Sequence, residues 1–264
     1  AMDCQAKIAL TTSKLAANFK ESFAALPEMN GVTWLATDQI SEISENDWKT
    51  PDLNGQSLAF LQYTSGSTST PKGVMVRHGN LLHNLSAIKE SFGITPEDRG
   101  VIWLPPYHDM GLIGGILEPL YAGFHTTLMS PFDMMQRPLR WLQAISRTAA
   151  SVSGGPNFAY ELCVKRITDE QKAELDLSSW EVAFNGAEPI REETIERFAE
   201  AFASCGFKKE AFYTCYGLAE GTLFVSGGNR LTLPAIQRFD KEALTDNRVL
   251  EQPSSSDTAT SQAL

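Results

Sequence analysis

The chain has 264 residues, of which 42% are hydrophobic and 20% are charged. This composition is typical of a folded globular protein and argues against a disordered chain, a fibre or a disulfide-rich miniprotein. A total of 22 basic and 32 acidic residues gives a net charge of −10, so the chain lacks the basic surface of a nucleic-acid binder.

The first 56 residues predict a β-α-β unit followed by a polar connection. Residues 7–11 read as a short strand, apolar side chains recur at helical spacing over 15–26, and residues 32–36 read as a second strand. Residues 41–56 are polar and contain Pro and Gly. Because the first strand begins almost at the first residue, we expect a chain cut from a longer protein.

From residue 58 onward, apolar strands alternate with amphipathic helices. Strands are predicted at 58–63, 74–76, 101–104, 126–129, 149–153, 182–184 and 212–216. Helices are predicted near 81–92, 112–121, 139–145, after Pro156 and over 195–202. This alternation predicts an α/β fold with mostly parallel sheets that are covered by helices on both faces.

Four segments of special composition each follow a predicted strand. They are residues 64–73, 105–111, 185–189 and 213–220. In open parallel sheets, ligands bind outside the carboxyl ends of the strands. These segments therefore outline the candidate site.

The first of these segments is a loop of Gly, Ser and Thr residues with one cation, Lys72. Small residues let backbone N–H groups reach phosphate oxygens, hydroxyls add donors and the lysine adds charge. The loop is not a Walker motif, since Gly73 follows the lysine where that motif has Ser or Thr. A flexible linker has a similar composition. The strands directly before and after the loop favour phosphate binding.

This loop also carries a family resemblance. YTSGSTSTPKGV at 63–74 resembles the signature loop of the adenylate-forming superfamily, which contains acyl-CoA synthetases, luciferases, non-ribosomal adenylation domains and fatty acyl-AMP ligases. LPPYHDMGL at 104–112, NGAEPI at 185–190 and YGLAE at 216–220 resemble three further motifs in the same order.

Two features are most similar to the fatty acyl-AMP ligases. Ser69 stands where the common loop has Gly, and residues 231–250 resemble the start of the insertion that distinguishes these ligases from acyl-CoA ligases. The chain is thus identified as resembling a fatty acyl-AMP ligase that is truncated at both ends.

The resemblance implies ATP- and Mg²⁺-dependent activation of a fatty acid. The fatty-acid carboxylate attacks the α-phosphorus of ATP, and pyrophosphate leaves. The acyl group of the acyl-adenylate then passes to an acyl carrier protein, either separate or in the same polypeptide, as in polyketide synthesis. A ribose-binding aspartate and a catalytic lysine of the family are not found before Leu264, so we expect the chain alone to be inactive.

The resemblance also implies roles for individual residues. His108 borders the substrate carboxylate, Lys72 acts on the phosphates, and Glu220 reaches Mg²⁺. ATP is expected to contact Thr64, Ser65, Gly66, Ser67, Thr68, Ser69, Thr70, Lys72, Asn185, Gly186, Ala187, Glu188, Tyr216, Gly217, Leu218 and Ala219. The acyl chain is expected to contact His108, Met110, Ile113 and Phe158.

Several of these residues have a purely structural alternative. His108 could be bonded to backbone, Glu188 could interact with a helix dipole and Tyr216 could pack as an ordinary aromatic residue. The Met and Phe residues near 110–135 could belong to the core. Glu220 has the sharper functional case, because magnesium requires hard oxygen ligands.

Three parts are predicted along the chain: the end of a first α/β subdomain with its connection (1–56), an adenylating core with the ATP and acyl sites (57–228), and the start of the insertion with a polar tail (229–264). The alternatives for function are an acyl-CoA ligase, a non-ribosomal adenylation domain, or a nucleotide-binding scaffold without chemistry.

The cysteines and the apolar pattern bear on location. The four cysteines form no CxxC pair and have no zinc-like spacing. The longest apolar stretch, residues 110–124, contains Glu118 and is too short to span a bilayer. We therefore expect a cytoplasmic protein without a membrane span.

Overall fold

A computed structural model describes residues 3–23, 26, 31–40, 48–64 and 72–251. The chain divides into two compact units, Ala1–Asn80 and Leu81–Leu264. The three-part division drawn from the sequence stays a prediction. Among the residues described, no helix has the length and apolar character needed to cross a membrane.

The first unit begins with the β-α-β arrangement predicted from the sequence. Strand β1 (Ile8–Thr11) is followed by helix α1 (Ser13–Phe23) and strand β2 (Thr33–Ala36), and the two strands pair in parallel. A 3₁₀ turn, Thr37–Gln39, follows. Its Asp38 carboxylate accepts hydrogen bonds from the Ser13 N–H and hydroxyl, both at 2.7 Å, and so caps the start of α1.

Two further strands of the first unit enclose the glycine-rich loop. Strand β3 (Leu58–Thr64) and strand β4 (Lys72–Arg77) pair antiparallel, with Thr64 opposite Lys72. The two ends of the loop are therefore neighbours in the antiparallel ladder, where a short connection can join the strands. Antiparallel pairing here departs from the mostly parallel arrangement that was predicted. Helix α2 (His78–Phe92) follows directly.

The second unit contains a six-stranded sheet in the order β10-β9-β8-β7-β5-β6. Its strands are β5 (Arg99–Ile102), β6 (His125–Leu128), β7 (Val152–Gly155), β8 (Val182–Asn185), β9 (Phe212–Gly217) and β10 (Phe224–Gly227). The first five are parallel, as predicted, and β10 pairs antiparallel with β9 at the edge. The sequence pattern did not reveal β10, which is short and largely exposed.

Helices connect these strands. A π-helix (Met110–Leu117) leads into α3 (Glu118–Ala122), where one continuous helix was predicted. The remaining helices are α4 (Pro131–Gln136), α5 (Leu139–Thr148), α6 (Asn157–Arg166), α7 (Asp169–Lys172), α8 (Glu192–Phe202) and α9 (Lys241–Thr245). The strand predicted at 149–153 begins later, at Val152, because Ala149 ends α5 in the left-handed conformation at φ 48°.

An aromatic cluster forms the core of the second unit. Its fully buried rings include Trp141, Tyr160, Trp180 and Phe198, with centroids 5.1–6.2 Å apart in the contacting pairs. Edge-to-face arrangements predominate, as the quadrupoles of aromatic rings favour. Both tryptophan N–H groups are satisfied at Ser153, one by its hydroxyl at 2.8 Å and one by its carbonyl at 3.1 Å.

Arg230, just after β10, links the end of the sheet to three other segments of the second unit. Its guanidinium bonds the Asp98 and Glu181 carboxylates at 2.7 Å each and the Gly93 carbonyl at 2.7 Å. The Asp98 side chain is only 4% exposed, so removal of its partner would leave a buried charge unpaired.

We expect Arg230→Leu to lower the free energy of unfolding by about 3 kcal/mol, because breaking a buried ion pair leaves the remaining charge buried and unpaired. Urea denaturation measures the change. The matched control is Arg248→Leu, which breaks an exposed pair with Asp246 at 3.3 Å and should cost less than about 1 kcal/mol. Equal losses in the two variants would contradict a special role for Arg230.

Candidate functional site

A cavity of about 240 Å³ lies in the second unit, where segments that follow β5, β8 and β9 meet. Most of its wall is apolar. The residues that line it are Ile88, Phe92, Ile94, Ile102, His108, Asp109, Met110, Gly114, Glu118, Phe124, Val152, Phe184, Gly186, Ala187, Cys215, Tyr216, Gly217, Leu223 and Phe224. Three of the four predicted segments thus contribute to one wall.

His108 and Asp109 form an ion pair in this wall. The His108 Nδ1 lies 2.6 Å from the Asp109 Oδ1, and the same oxygen accepts the Met110 N–H at 2.7 Å, which caps the π-helix. The hydrogen bond to Asp109 raises the pKa of His108 against the opposing effect of burial. Burial opposes ionisation of Asp109, but the bonds from His108 and Met110 keep the pKa of its carboxyl below the ordinary value.

The segment after β8 combines a buried asparagine with a strained turn. Asn185 is fully buried, whereas Gly186 and Ala187 line the cavity. Ala187 has φ 67°, which is uncommon for a residue with a side chain. The Glu188 carboxylate accepts the Phe158 N–H at 2.6 Å, in the first turn of α6. Glu188 thus interacts with a helix N-terminus, which was its structural alternative.

The turn between β9 and β10 carries the remaining predicted motif. Tyr216 is 61% exposed at the cavity and Gly217 lines it. A Cβ on Gly217 would lie 2.0 Å from the Leu223 carbonyl oxygen, so only glycine permits this approach. The Leu218 N–H donates to that same oxygen at 3.0 Å, and Ala219 is buried.

Asn84, on helix α2, holds this turn in place and was not predicted. Its side-chain NH₂ donates to the Phe224 carbonyl at 2.8 Å and to the Gly221 carbonyl at 3.3 Å, while its side-chain oxygen accepts the Phe224 N–H at 3.0 Å. Between these two anchors lies Thr222, at φ 75°. Glu220 is exposed on the same turn.

The other predicted residues are distributed as follows. Met110 lines the cavity, but Ile113 and Phe158 are not among the lining residues. Ile113 is fully buried, and the Phe158 ring packs edge-on against Trp103 with centroids 6.2 Å apart. Thr64 and Lys72 belong to the strands of the first unit, and Lys72 is exposed. Ser65, Gly66, Ser67, Thr68, Ser69 and Thr70 lie outside the described residues.

Glu118 is the acidic group in the cavity wall that sequence reasoning missed. It is 1% exposed, and neither carboxyl oxygen has a hydrogen-bond partner among the described residues. Burial raises its pKa to about 8, although the nearby Lys89 charge acts in the opposite direction. The available signal was its position as the acid within the long apolar stretch at 110–124.

The family model of the AMP-binding enzymes matches residues 1–245. The chain belongs to this family. It is 47% identical over 249 residues to the medium-chain-fatty-acid–[acyl-carrier-protein] ligase JamA of Moorena producens. This match covers 94% of this chain and 42% of JamA. It is 36% identical to the long-chain-fatty-acid–AMP ligase FadD32 of Mycolicibacterium smegmatis, over 99% of this chain and 42% of that one.

Solved structures agree with this membership. The fatty acyl-adenylate ligase of L. pneumophila, in complex with acyl adenylate and pyrophosphate, superposes with a TM-score of 0.85 at 47% identity. The match covers 94% of this chain and 43% of the L. pneumophila chain. The chain therefore spans less than half the length of these relatives.

In this member of the AMP-binding family, Asp109→Asn should lower the pKa of His108, because the substitution removes the hydrogen-bonded carboxylate and leaves the opposing effect of burial. An NMR titration of the imidazole measures the pKa. The control is Asp133→Asn, which alters an acid paired with Arg140 at 2.5 Å and should leave the His108 titration unchanged. An unshifted His108 titration in Asp109→Asn would refute the pairing.

A second prediction concerns stability against pH. Glu118 titrates near its ordinary value of 4.5 when the chain is unfolded and at about 8 when folded. Between these values the folded wild type retains a proton that the unfolded chain has released, so its stability falls as pH rises. Glu118→Gln removes this slope. Between pH 4.5 and about 8, we expect the free energy of unfolding of the variant to rise relative to that of wild type by up to about 1.4 kcal/mol per pH unit. Below pH 4.5 we expect no such rise. A difference independent of pH in urea denaturation would contradict this.

Proposed function

We propose that the protein acts as a fatty acyl-AMP ligase: it activates a fatty acid with ATP to an acyl-adenylate and passes the acyl group to an acyl carrier protein. The observation that carries the proposal is the apolar cavity, which has the His108–Asp109 pair and the Tyr216 segment in its wall. An apolar wall suits an alkyl chain, and the polar groups in it suit a carboxylate and a nucleotide.

Magnesium fits the residues present, provided that the substrate supplies most of the ligands. Within the described ranges, no group of three or more acidic, histidine or cysteine side chains forms a metal cluster. Glu220 is exposed and makes no hydrogen bond or ion pair with the other described residues. Mg²⁺ commonly binds one or two carboxylates together with phosphate oxygens, so a single free carboxylate is adequate. When bound, the ion neutralises charge on the phosphates.

In the proposed reaction, a fatty-acid carboxylate oxygen forms a bond to the α-phosphorus of ATP, and the bond from that phosphorus to pyrophosphate breaks. Both reactants are anions, so orientation and charge neutralisation lower the barrier. We assign His108, whose pKa is raised by its hydrogen bond to Asp109, to the carboxylate. We assign residues 185–188 and Tyr216 to adenine, and the loop at 64–73 to the β- and γ-phosphates.

Two finer points belong to the same proposal. The relatives named as acyl-carrier-protein ligases support a carrier protein as acceptor over CoA. Among the described residues, Cys163, Cys205 and Cys215 are free thiols, which suits a reducing compartment, so we place the activity in the cytoplasm.

The test is to incubate the full-length protein with a medium-chain fatty acid, Mg²⁺ and ATP, with and without CoA, and to identify products by mass spectrometry. We expect acyl-adenylate to accumulate without acyl-CoA. Lys72→Ala and Glu220→Ala should each lower the rate at least about tenfold, since each removes charge that acts on the phosphates. The exposed-site controls Lys208→Ala and Glu210→Ala should retain the rate.

Other products would redirect the assignment. Ready formation of acyl-CoA would indicate an acyl-CoA ligase, and adenylates formed only from amino acids would indicate an adenylation domain. Nucleotide binding without any adenylate would indicate a scaffold.

A further inference from the structure

The carboxyl group of Glu118 is buried but has no hydrogen-bond partner in the part of the chain that the structure describes. The residue is 1% exposed and both oxygens are without a hydrogen bond among the described residues. More than nine in ten buried polar groups in proteins are satisfied, and an unsatisfied one is destabilising. The contacts of Glu118 with the described residues therefore give no structural reason for a carboxyl group at the start of α3.

The surroundings in the cavity offer Glu118 no alternative. The side chains that line most of the wall are apolar, for example Ile88, Phe92 and Phe124. His108 and Asp109, which precede the π-helix and also line the cavity, already bond each other at 2.6 Å. Lys89 influences the charge of Glu118 but forms no ion pair with it within 4.0 Å among the described contacts. Of the described residues in the wall, Glu118 alone has buried side-chain oxygens without a partner.

We propose that Glu118 is a specificity-determining residue: it forms a polar subsite in the acyl cavity for a fatty acid that carries a neutral oxygen group, a hydroxyl or a keto oxygen, along its chain. This inference rests on the proposed function, because it takes the cavity to hold an acyl chain. The missing hydrogen bond then comes with the substrate, which is how a site that is built around a polar group discriminates against analogues without it.

The protonation state agrees with a neutral ligand. With a pKa raised to about 8, the carboxyl is mostly protonated at neutral pH and both donates and accepts a hydrogen bond. A hydroxyl can use both roles, and a keto oxygen can accept from the proton. A cationic amine, in contrast, would require the charged form that burial disfavours.

The position of Glu118 places the polar group away from the reacting carboxylate. Glu118 follows His108 by ten residues through the π-helix, and ten residues at the α-helical rise of about 1.5 Å span roughly 15 Å along a helix axis. The substrate oxygen is therefore expected in the middle or distal part of a medium-length chain, rather than beside the carboxylate.

The experiment compares decanoic acid with its mid-chain hydroxy, mid-chain keto and ω-hydroxy derivatives on the full-length protein. Affinity is measured by calorimetry and acyl-adenylate formation by mass spectrometry. We expect wild type to prefer at least one oxygenated acid by about tenfold or more. The preference should be retained within a few-fold in Glu118→Gln, which keeps a donor and an acceptor, and should vanish or invert in Glu118→Leu.

The control variant is Ile88→Val, which alters the volume of the same wall without a polar atom and should leave the preference unchanged. Both Glu118 variants remove an unpaired buried acid, so they are expected to fold at least as well as wild type. Thermal unfolding checks this before binding is measured.

The possible results separate the inference from the proposed function. If wild type prefers no oxygenated acid, or if Glu118→Leu retains the preference, the role of Glu118 is refuted even though adenylates form. If no acid yields an adenylate, the proposed function fails, and the calorimetric preference still decides whether Glu118 recognises an oxygenated chain.

Discussion

Parallel pairing of β5, β7, β8 and β9 is the constraint on which the candidate site depends. Parallel strands direct all of their carboxyl ends to one edge of the sheet, so loops far apart in sequence become neighbours. The segments beginning near Pro105, Asn185 and Tyr216 reach one cavity for this reason. The aromatic core beneath them fixes the strands, and the site inherits its rigidity from that packing.

The turn at the edge of this sheet shows how tight backbone geometry is maintained. Gly217 and the Leu223 carbonyl approach too closely for any side chain, and Thr222 adopts a positive φ. Conformations of this kind persist only where surrounding contacts compensate for their cost. Asn84 supplies three hydrogen bonds to the two sides of this turn. The exposed position of Glu220 thus follows from a buried side chain on a distant helix.

Local patterns in the sequence predicted much of this arrangement. Alternating strands and helices, with segments of special composition after the strands, were sufficient for the parallel sheet and for the three segments that meet at the cavity. The antiparallel β3–β4 pair and strand β10 were missed, since pairing direction depends on contacts between strands and β10 has an exposed surface with no alternating pattern.

The composition of the cavity wall was harder to predict than the position of the motifs. Ile113 and Phe158 are apolar and close in sequence to wall residues, yet helix phase turns Ile113 into the core. Asn84 and Glu118 are ordinary residues within helical segments. Asn84 is important because its partners lie more than a hundred residues away, and Glu118 because its buried carboxyl has no partner among the described residues. Neither property leaves a periodic trace in the sequence.

Asp109 and Glu118 illustrate how one cavity assigns opposite states to the same functional group. Asp109 receives hydrogen bonds from His108 and Met110, which lower the pKa of its carboxyl, whereas Glu118 receives none from the described residues and burial raises its pKa to about 8. Environments that push two acids apart in pKa commonly separate two roles. Under the proposed function, the His108–Asp109 pair suits the reacting anions, and the neutral acid suits an alkyl chain that sheds its water before it enters the cavity.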